Sequence, residues 1–280
     1  MSYLIRKPTS NYFESLRGFK QHFLDWNGGN NPIILLHPKR SNARHWDHMV
    51  DAMKSSNRVI APDLRGHGLS DYTDKGYTVP ELAEDVLAFA DTLEIEKAIF
   101  VGCATGGNLC IWLAANYESR VSAVGIIDPG LSVPKSIAQE VSRQTKEEHN
   151  FPNFEAAKSS MYFQELWSEE IKEHYAKYSF KKRGDGRWEW LYLPEAANSI
   201  SESLNNDSVW GLSKKVQCPA FLLRGKLSPV FTQEHLDKLG KKIPHAKKIN
   251  LEKASHTPAQ ENPKGLAVEI DQLVEKLNSC

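Results

Sequence analysis

The sequence predicts an α/β fold, a mostly parallel, doubly wound sheet with an inserted helical cap. Three observations predict it. Short, nearly all-apolar runs recur at Pro32–His37, Val59–Ala61, Ala98–Val101, Val124–Ile127 and Pro219–Leu223, as expected of strands buried on both faces. Stretches with helical spacing separate them, which implies crossovers between parallel strands. The alternation stops after residue 130 and resumes near 209, so 1–130 and 209–280 read as one core and 131–208 as a mostly helical cap with no buried strand.

Taken in order, Tyr12 to Trp26 alternates around Arg17-Gly18 and reads as a hairpin. Residues 43–54 space His45, Trp46, Met49 and Met53 on one helical face. Thr78 is an N-cap with Glu81 three residues on, a capping box for a helix to about Leu93. A helix over 106–117, another from Thr232, a strand at Lys248–Leu251 and a last helix from Pro263 to Leu277 complete the reading. An insertion that leaves and re-enters at strand ends should lie over the carboxyl edge of the sheet, where open α/β sheets bind ligands.

Composition narrows the function classes. The chain has 280 residues, 40% hydrophobic and 25% charged, with 35 basic side chains balancing 35 acidic ones. Zero net charge argues against holding nucleic acid by bulk positive charge. No apolar run reaches the roughly 18 residues a membrane helix needs, and the opening MSYLIRKPTSNYF lacks an apolar core of secretory length. Four cysteines (Cys103, Cys110, Cys218, Cys280) show no CxxC spacing and read as reduced thiols in a cytoplasmic protein. No metal-ligand cluster or phosphate loop appears, so no metal and no cofactor is expected. The expected partner is a small-molecule substrate, with no nucleic acid or membrane, and the chain a monomer or homodimer.

Val101-Gly102-Cys103-Ala104-Thr105-Gly106-Gly107 lies between a strand and a helix. Glycines two before and two after a central residue are what a sharp strand–turn–helix elbow requires, because a Cβ does not fit there. With this elbow, three further segments fall in a telling order: His37-Pro38-Lys39, Asp63-Leu64-Arg65-Gly66-His67-Gly68-Leu69-Ser70-Asp71, and Ser255-His256-Thr257 through Glu261-Asn262-Pro263. Together they resemble an α/β-hydrolase with a helical cap, from about Phe19 to Leu277. The resemblance implies a nucleophile at the elbow, a catalytic histidine at His256, and oxyanion donors in the backbone N–H groups of Lys39 and Thr105.

The sequence departs from the family pattern at three places. Proline follows His37 where the family has glycine. The elbow carries Ala104 where serine belongs, and a methyl group neither attacks a carbonyl nor gives up a proton. Three readings of Ala104 stay open: an introduced Ser-to-Ala change in a hydrolase, a natural ligand-binding member without activity, and a cofactor-free His/Asp enzyme such as a dioxygenase. In most relatives an acid follows the strand matching Phe221–Leu223, but here Gly225-Lys226-Leu227-Ser228-Pro229 has serine. Asp128, before Pro129, is then the candidate acid, since imidazole needs its second nitrogen held; turn capping is the alternative.

The expected reaction is hydrolysis of a small ester, lactone or amide, including an enamide, with a carboxylate-bearing substrate among the options. The basic loop Lys39-Arg40-Ser41-Asn42-Ala43-Arg44 suggests Arg40 as a binding residue, and Arg143, Lys146, Lys158 and Lys181-Lys182-Arg183 are further candidate cations, or simply solvated surface. Cys103 is expected beside the substrate but reads as a buried thiol, not a nucleophile. Trp188 and Trp190, with Trp167, Tyr192, Tyr162 and Phe163, either line an apolar pocket or knit the cap together. Asp63, Arg65, His67, Asp71 and His37 read as architectural.

Overall fold

The computed structural model describes residues 6–130, 150–161, 165–205 and 208–279. Arg143, Lys146, Tyr162 and Phe163 lie outside the described residues. Eight strands form one sheet in the order β1-β2-β4-β3-β5-β6-β9-β10. They are β1 (Thr9–Glu14), β2 (Lys20–Asp25), β3 (Gly29–Leu36), β4 (Asn57–Pro62), β5 (Ala98–Cys103), β6 (Val121–Ile127), β9 (Ala220–Gly225) and β10 (Lys247–Leu251). From β4 to β10 all neighbours pair in parallel; β1 and β2 are the antiparallel edge. β3 starts at Gly29, three residues before the apolar run, with a register shift against β4 between Gly29 and Ile33.

The apolar runs are continuous because each strand feeds two cores. Ile33 and Leu35 point into one cluster with Met49 and Val50 of α1 (Asp47–Ala52) and Leu266, Ile270 and Val274 of α9 (Pro263–Asn278). Ile34 and Leu36 point the other way, into a cluster with Phe89 of α2 (Val79–Thr92), Leu113 of α3 (Thr105–Asn116) and Leu239 of α8 (Gln233–Lys242). Alternation of side chains across a strand sorts consecutive residues onto opposite helical layers. Helix α2 starts at the capping box expected for it, Thr78 with Glu81. None of the described helices is long and apolar enough to cross a membrane.

Between β6 and β9 the described residues form α4 (Phe154–Ser159), α5 (Glu169–Ser179), a two-stranded hairpin of β7 (Phe180–Lys182) and β8 (Trp188–Trp190), α6 (Pro194–Asn205) and α7 (Ser208–Leu212). The hairpin corrects the expectation of a segment without a buried strand: Phe180 and Trp190 are buried in it. Its signal was present, since Phe180-x-Lys182 and Trp188-x-Trp190 alternate about Asp185-Gly186, a hairpin turn pair. Gly186 has φ +87, and Asp185 accepts from the Arg187 N–H. This region has its own apolar cluster, built on Phe151, Trp167, Tyr175, Phe180, Trp190 and Tyr192.

Hydrogen bonds join it to three loops that leave the carboxyl ends of parallel strands. Tyr175 Oη donates to Ser41 Oγ (2.7 Å) beyond β3. The Leu193 N–H donates to Gly66 O and the Gly68 N–H to Leu191 O, beyond β4. Trp167 Nε1 donates to Thr257 Oγ1 (2.9 Å), next to His256 beyond β10.

Candidate active site

The elbow is dictated by steric exclusion. A Cβ on Gly102 would lie 2.1 Å from the Gly106 carbonyl oxygen, and one on Gly106 would lie 1.9 Å from that of Leu36. These contacts let β3, β5 and the start of α3 close on one another. The turn between β5 and α3 forces Ala104 to φ 49°, ψ −111°. Left-handed backbone at a residue with a Cβ costs about 1–2 kcal/mol, and such strain gathers where a side chain must be presented. The Ala104 N–H donates to Ile127 O (2.9 Å), which ties the elbow to the end of β6 one residue before Asp128.

Asp128 also has positive φ (43°). Its carboxylate is fully buried, and His256 Nδ1 stands 2.6 Å from Oδ1, with the imidazole 14% exposed. Ser228 Oγ donates to the same oxygen (2.7 Å), and the Gly225 N–H donates to Oδ2 (3.1 Å). A buried carboxylate needs such donors. They also fix the ring: with Nδ1–H donating to Asp128, Nε2 keeps the lone pair of a general base.

The role of Ser228 was not read from the sequence. It fills the place of the usual acid with a hydroxyl that donates to the acid on the neighbouring strand, and its Oγ accepts from the N–H groups of Val230 and Phe231 (3.2 Å each). Glu261 is a second supporting residue. Its Oε2 accepts from the N–H groups of Ser255 (2.5 Å) and Thr257 (3.2 Å), bracing the loop on both sides of His256, and burial pushes its carboxyl pKa up.

Cys103 is 1% exposed and belongs to the apolar core, with Sγ 3.8 Å from the His256 carbonyl oxygen. Burial first, then Asp128 and Glu261, pushes its thiol pKa well up. A buried thiol with its pKa raised is an unreactive one. Thr105, 2% exposed, is the first residue of α3, where backbone N–H groups have no helical acceptor. The loop carrying Lys39 leaves β3 directly after Leu36, which pairs with Gly102. His37 braces this loop: Nδ1 donates to Pro38 O (2.8 Å), and Nε2 accepts from the Leu64 N–H (3.0 Å). Burial lowers its pKa.

The Asp63 segment is a tie. Asp63 accepts from the N–H groups of Ala43 (2.6 Å) and Leu69 (2.7 Å) and meets His22 Nδ1 at 2.7 Å. Arg65 forms two bonds to Asp85, and Asp71 accepts from the Lys20 N–H. Trp190 packs on Phe180 with ring centroids 4.0 Å apart, and Trp188 lies half-buried on Phe154 at 5.0 Å. These contacts are internal to the insertion, the knitting alternative. Lys181 and Arg183 pair with Glu189, Lys158 with Glu155 and Glu173, and Arg44 with Asp47. Arg40, with φ 65°, donates from Nε to Tyr192 Oη (3.2 Å). Among the described residues, no group of three or more His, Cys, Asp or Glu side chains is placed to hold a metal.

The chain is similar to several known proteins. A 3-oxoadipate enol-lactonase of Acinetobacter baylyi is 24% identical over 246 residues, spanning 88% of this chain and 89% of that one. A 3-hydroxybutyrate-oligomer hydrolase of Cupriavidus necator is 23% identical over 261 residues, spanning 87% and 89%. Among solved structures, E-2-(acetamidomethylene)succinate hydrolase superposes with a TM-score of 0.88 at 20% identity, covering 96% of this chain and all of that one. The family model described as alpha/beta hydrolase fold matches residues 31–263. With that match over most of its length, and with the sheet order and elbow described above, this chain belongs to the alpha/beta hydrolase fold family.

Proposed function

We propose that this chain is a hydrolase of a small carbonyl substrate, an ester, lactone or amide, in which Ala104 occupies the nucleophile position and silences a Ser-His-Asp mechanism. With a serine hydroxyl at position 104, its oxygen attacks the substrate carbonyl carbon while its proton passes to His256 Nε2. Asp128 holds the ring and stabilises the imidazolium that forms. The negative charge that develops on the carbonyl oxygen is met by the N–H groups of Lys39 and Thr105, each donor contributing about 3–4 kcal/mol. His256 then protonates the leaving group, and water activated by the same ring hydrolyses the acyl-enzyme.

The observation that carries this reading is the Asp128–His256 bond of 2.6 Å, with Ser228 and Gly225 completing the acid's donors. A binding protein has no use for a buried carboxylate aligned on a partly exposed imidazole beside a strained elbow. Ala104→Ser is the test. The change adds one oxygen, so fold and pocket shape are retained, and hydrolysis of a panel of small esters, lactones and amides should rise by up to about 10⁶-fold. Added to that form, His256→Ala should remove the gain and Asp128→Asn should cost about 10⁴-fold. Inertness of the serine form across the panel would favour a ligand-binding member of the fold. Undiminished turnover with alanine in place would exclude a serine mechanism and point to His/Asp chemistry without a nucleophile.

A further inference from the structure

Lys39 and Ser201 differ from the charged pairs around the insertion. Arg44, Lys158, Lys181 and Arg183 each face a carboxylate. Lys39 Nζ instead donates to the neutral hydroxyl of Ser201 on α6 (2.5 Å), and among the described residues no carboxylate lies within ion-pairing distance of it. A hydroxyl does little to hold the charge of an amine, and burial strips that charge of its hydration. Burial first, then the positive charge of Arg40, lowers the Lys39 pKa to about 8. Near that pH a large share of the side chain is the neutral amine, with a lone pair beside Ser201. Ser201 is only partly buried, so its hydroxyl belongs to a residue that solvent reaches. Its Oγ also donates to Ala197 O (2.9 Å), a bond back along the helix that adds little to helix stability and is readily exchanged when the hydroxyl turns.

The contact is held by packing on both sides. Lys39 follows β3 by three residues, and Ser201 lies on α6 beside Ile200, which with Ala196 is buried in a cluster of the sheet. We propose that Lys39 and Ser201 form a serine–lysine dyad, a nucleophile outside the elbow that accepts the acyl group of a small activated ester. As Ser201 Oγ attacks the ester carbonyl carbon, its proton passes to the neutral amine of Lys39. The Oγ–C bond forms, the C–O bond to the leaving alcohol breaks, and the lysine ammonium returns the proton to the leaving oxygen. Water then hydrolyses the new ester and restores the hydroxyl. The dyad needs neither a serine at position 104 nor His256, so it goes beyond the hydrolase reading above and does not rest on it.

The chain with Ala104 in place is the one to test, because its elbow carries no nucleophile. A small alkyl fluorophosphonate bonds permanently to an activated serine oxygen and releases fluoride. Peptide mapping by mass spectrometry should find Ser201 labelled at least about 100-fold faster than the other serines. Relative to those serines, its rate should climb about 30-fold from about pH 6.5 to about pH 9, as an amine with a pKa of about 8 loses its proton. Lys39→Arg keeps a cation that can donate to Ser201 but provides no base, so it should lose both the excess rate and its pH dependence. Ser201→Ala should remove the label from that peptide and slow the release of p-nitrophenolate from p-nitrophenyl acetate. An unlabelled Ser201 in the unaltered chain, a relative rate indifferent to pH, or a Lys39→Arg form that labels as fast would overturn the proposal. The two readings fail separately. Hydrolysis gained by Ala104→Ser while Ser201 stays unlabelled keeps the elbow mechanism and removes the dyad. A labelled Ser201 in a chain whose Ala104→Ser form gains nothing does the reverse.

Discussion

The sheet core and the insertion are built by different means. In the core, consecutive residues such as Ile33, Ile34, Leu35 and Leu36 are all fully buried, because helices cover both faces of the sheet. The backbone geometry of the elbow follows from close main-chain approach at Gly102 and Gly106. The insertion has a smaller, largely aromatic cluster of its own and meets the core both through hydrogen bonds of Tyr175, Trp167, Leu191 and Leu193 and through Ala196 and Ile200 of α6, which are buried in one of the sheet's clusters. Close main-chain approach therefore sets the backbone of the elbow, while the seam between the two regions mixes side-chain and backbone hydrogen bonds with apolar contacts of α6.

Truncating one buried ring in each region is the strongest way to break this comparison. Phe100→Ala, in a central strand, should cost about 3–5 kcal/mol of global stability, read by denaturant unfolding. Phe180→Ala should shift the global transition less than half as much and instead speed amide exchange across 151–192 while β3, β5 and β6 stay protected. Equal global shifts would mean that the two clusters unfold as one unit.

Adding a methyl group sharpens the contrast. Gly106→Ala drives a Cβ against the Leu36 backbone and should destabilise by about 3 kcal/mol. Gly184→Ala, at the hairpin turn with nothing within 4 Å, should stay within about 0.5 kcal/mol. A denaturation midpoint for each variant decides it.

Acid probes the seam itself. His67 is fully buried, bridges to Tyr192, and has its pKa lowered to about 3, first by burial and then by His37. The unfolded chain therefore binds a proton at pH values where the folded one does not. This contribution is complete above roughly pH 6.5 and is lost progressively as pH falls towards about 3. His37 and His45, also lowered by burial, act in the same sense. Unfolding midpoints measured from pH 7 down to 4 should decline, and His67→Gln should flatten the slope. A modest loss is expected of Trp167→Phe, which removes the 2.9 Å bond to Thr257 and should cost about 1 kcal/mol. In the Ala104→Ser form, turnover should fall a few-fold, because that bond braces the His256 loop.

Much of this was readable in one dimension. The apolar runs, the Thr78–Glu81 box and the Gly102/Gly106 pair are local patterns whose causes act over a few residues, so strands, helices and elbow could be inferred directly. Asp128 and His256 could be named as candidates because each follows a strand, but the two stand 128 positions apart, and their approach to 2.6 Å depends on β6, β9 and β10 lying side by side. Ser228 was legible only as a missing acid. Its hydroxyl gained a purpose once Gly225 and Asp128 were brought together across that strand pair. The direction in which Trp188 and Trp190 face followed from the β7–β8 hairpin, whose alternating pattern was hidden inside a charged and aromatic stretch.

By itself the sequence determined the α/β alternation, the elbow and the identity of Ala104 at its centre, because hydrophobic period and glycine sterics are properties of neighbouring residues. Only the tertiary structure decided which carboxylate meets His256, that Cys103 turns into the core, and that Lys39 stands opposite a hydroxyl instead of an acid. Those outcomes depend on which distant segments share a boundary. Burial and electrostatics are set by that boundary, not by order along the chain.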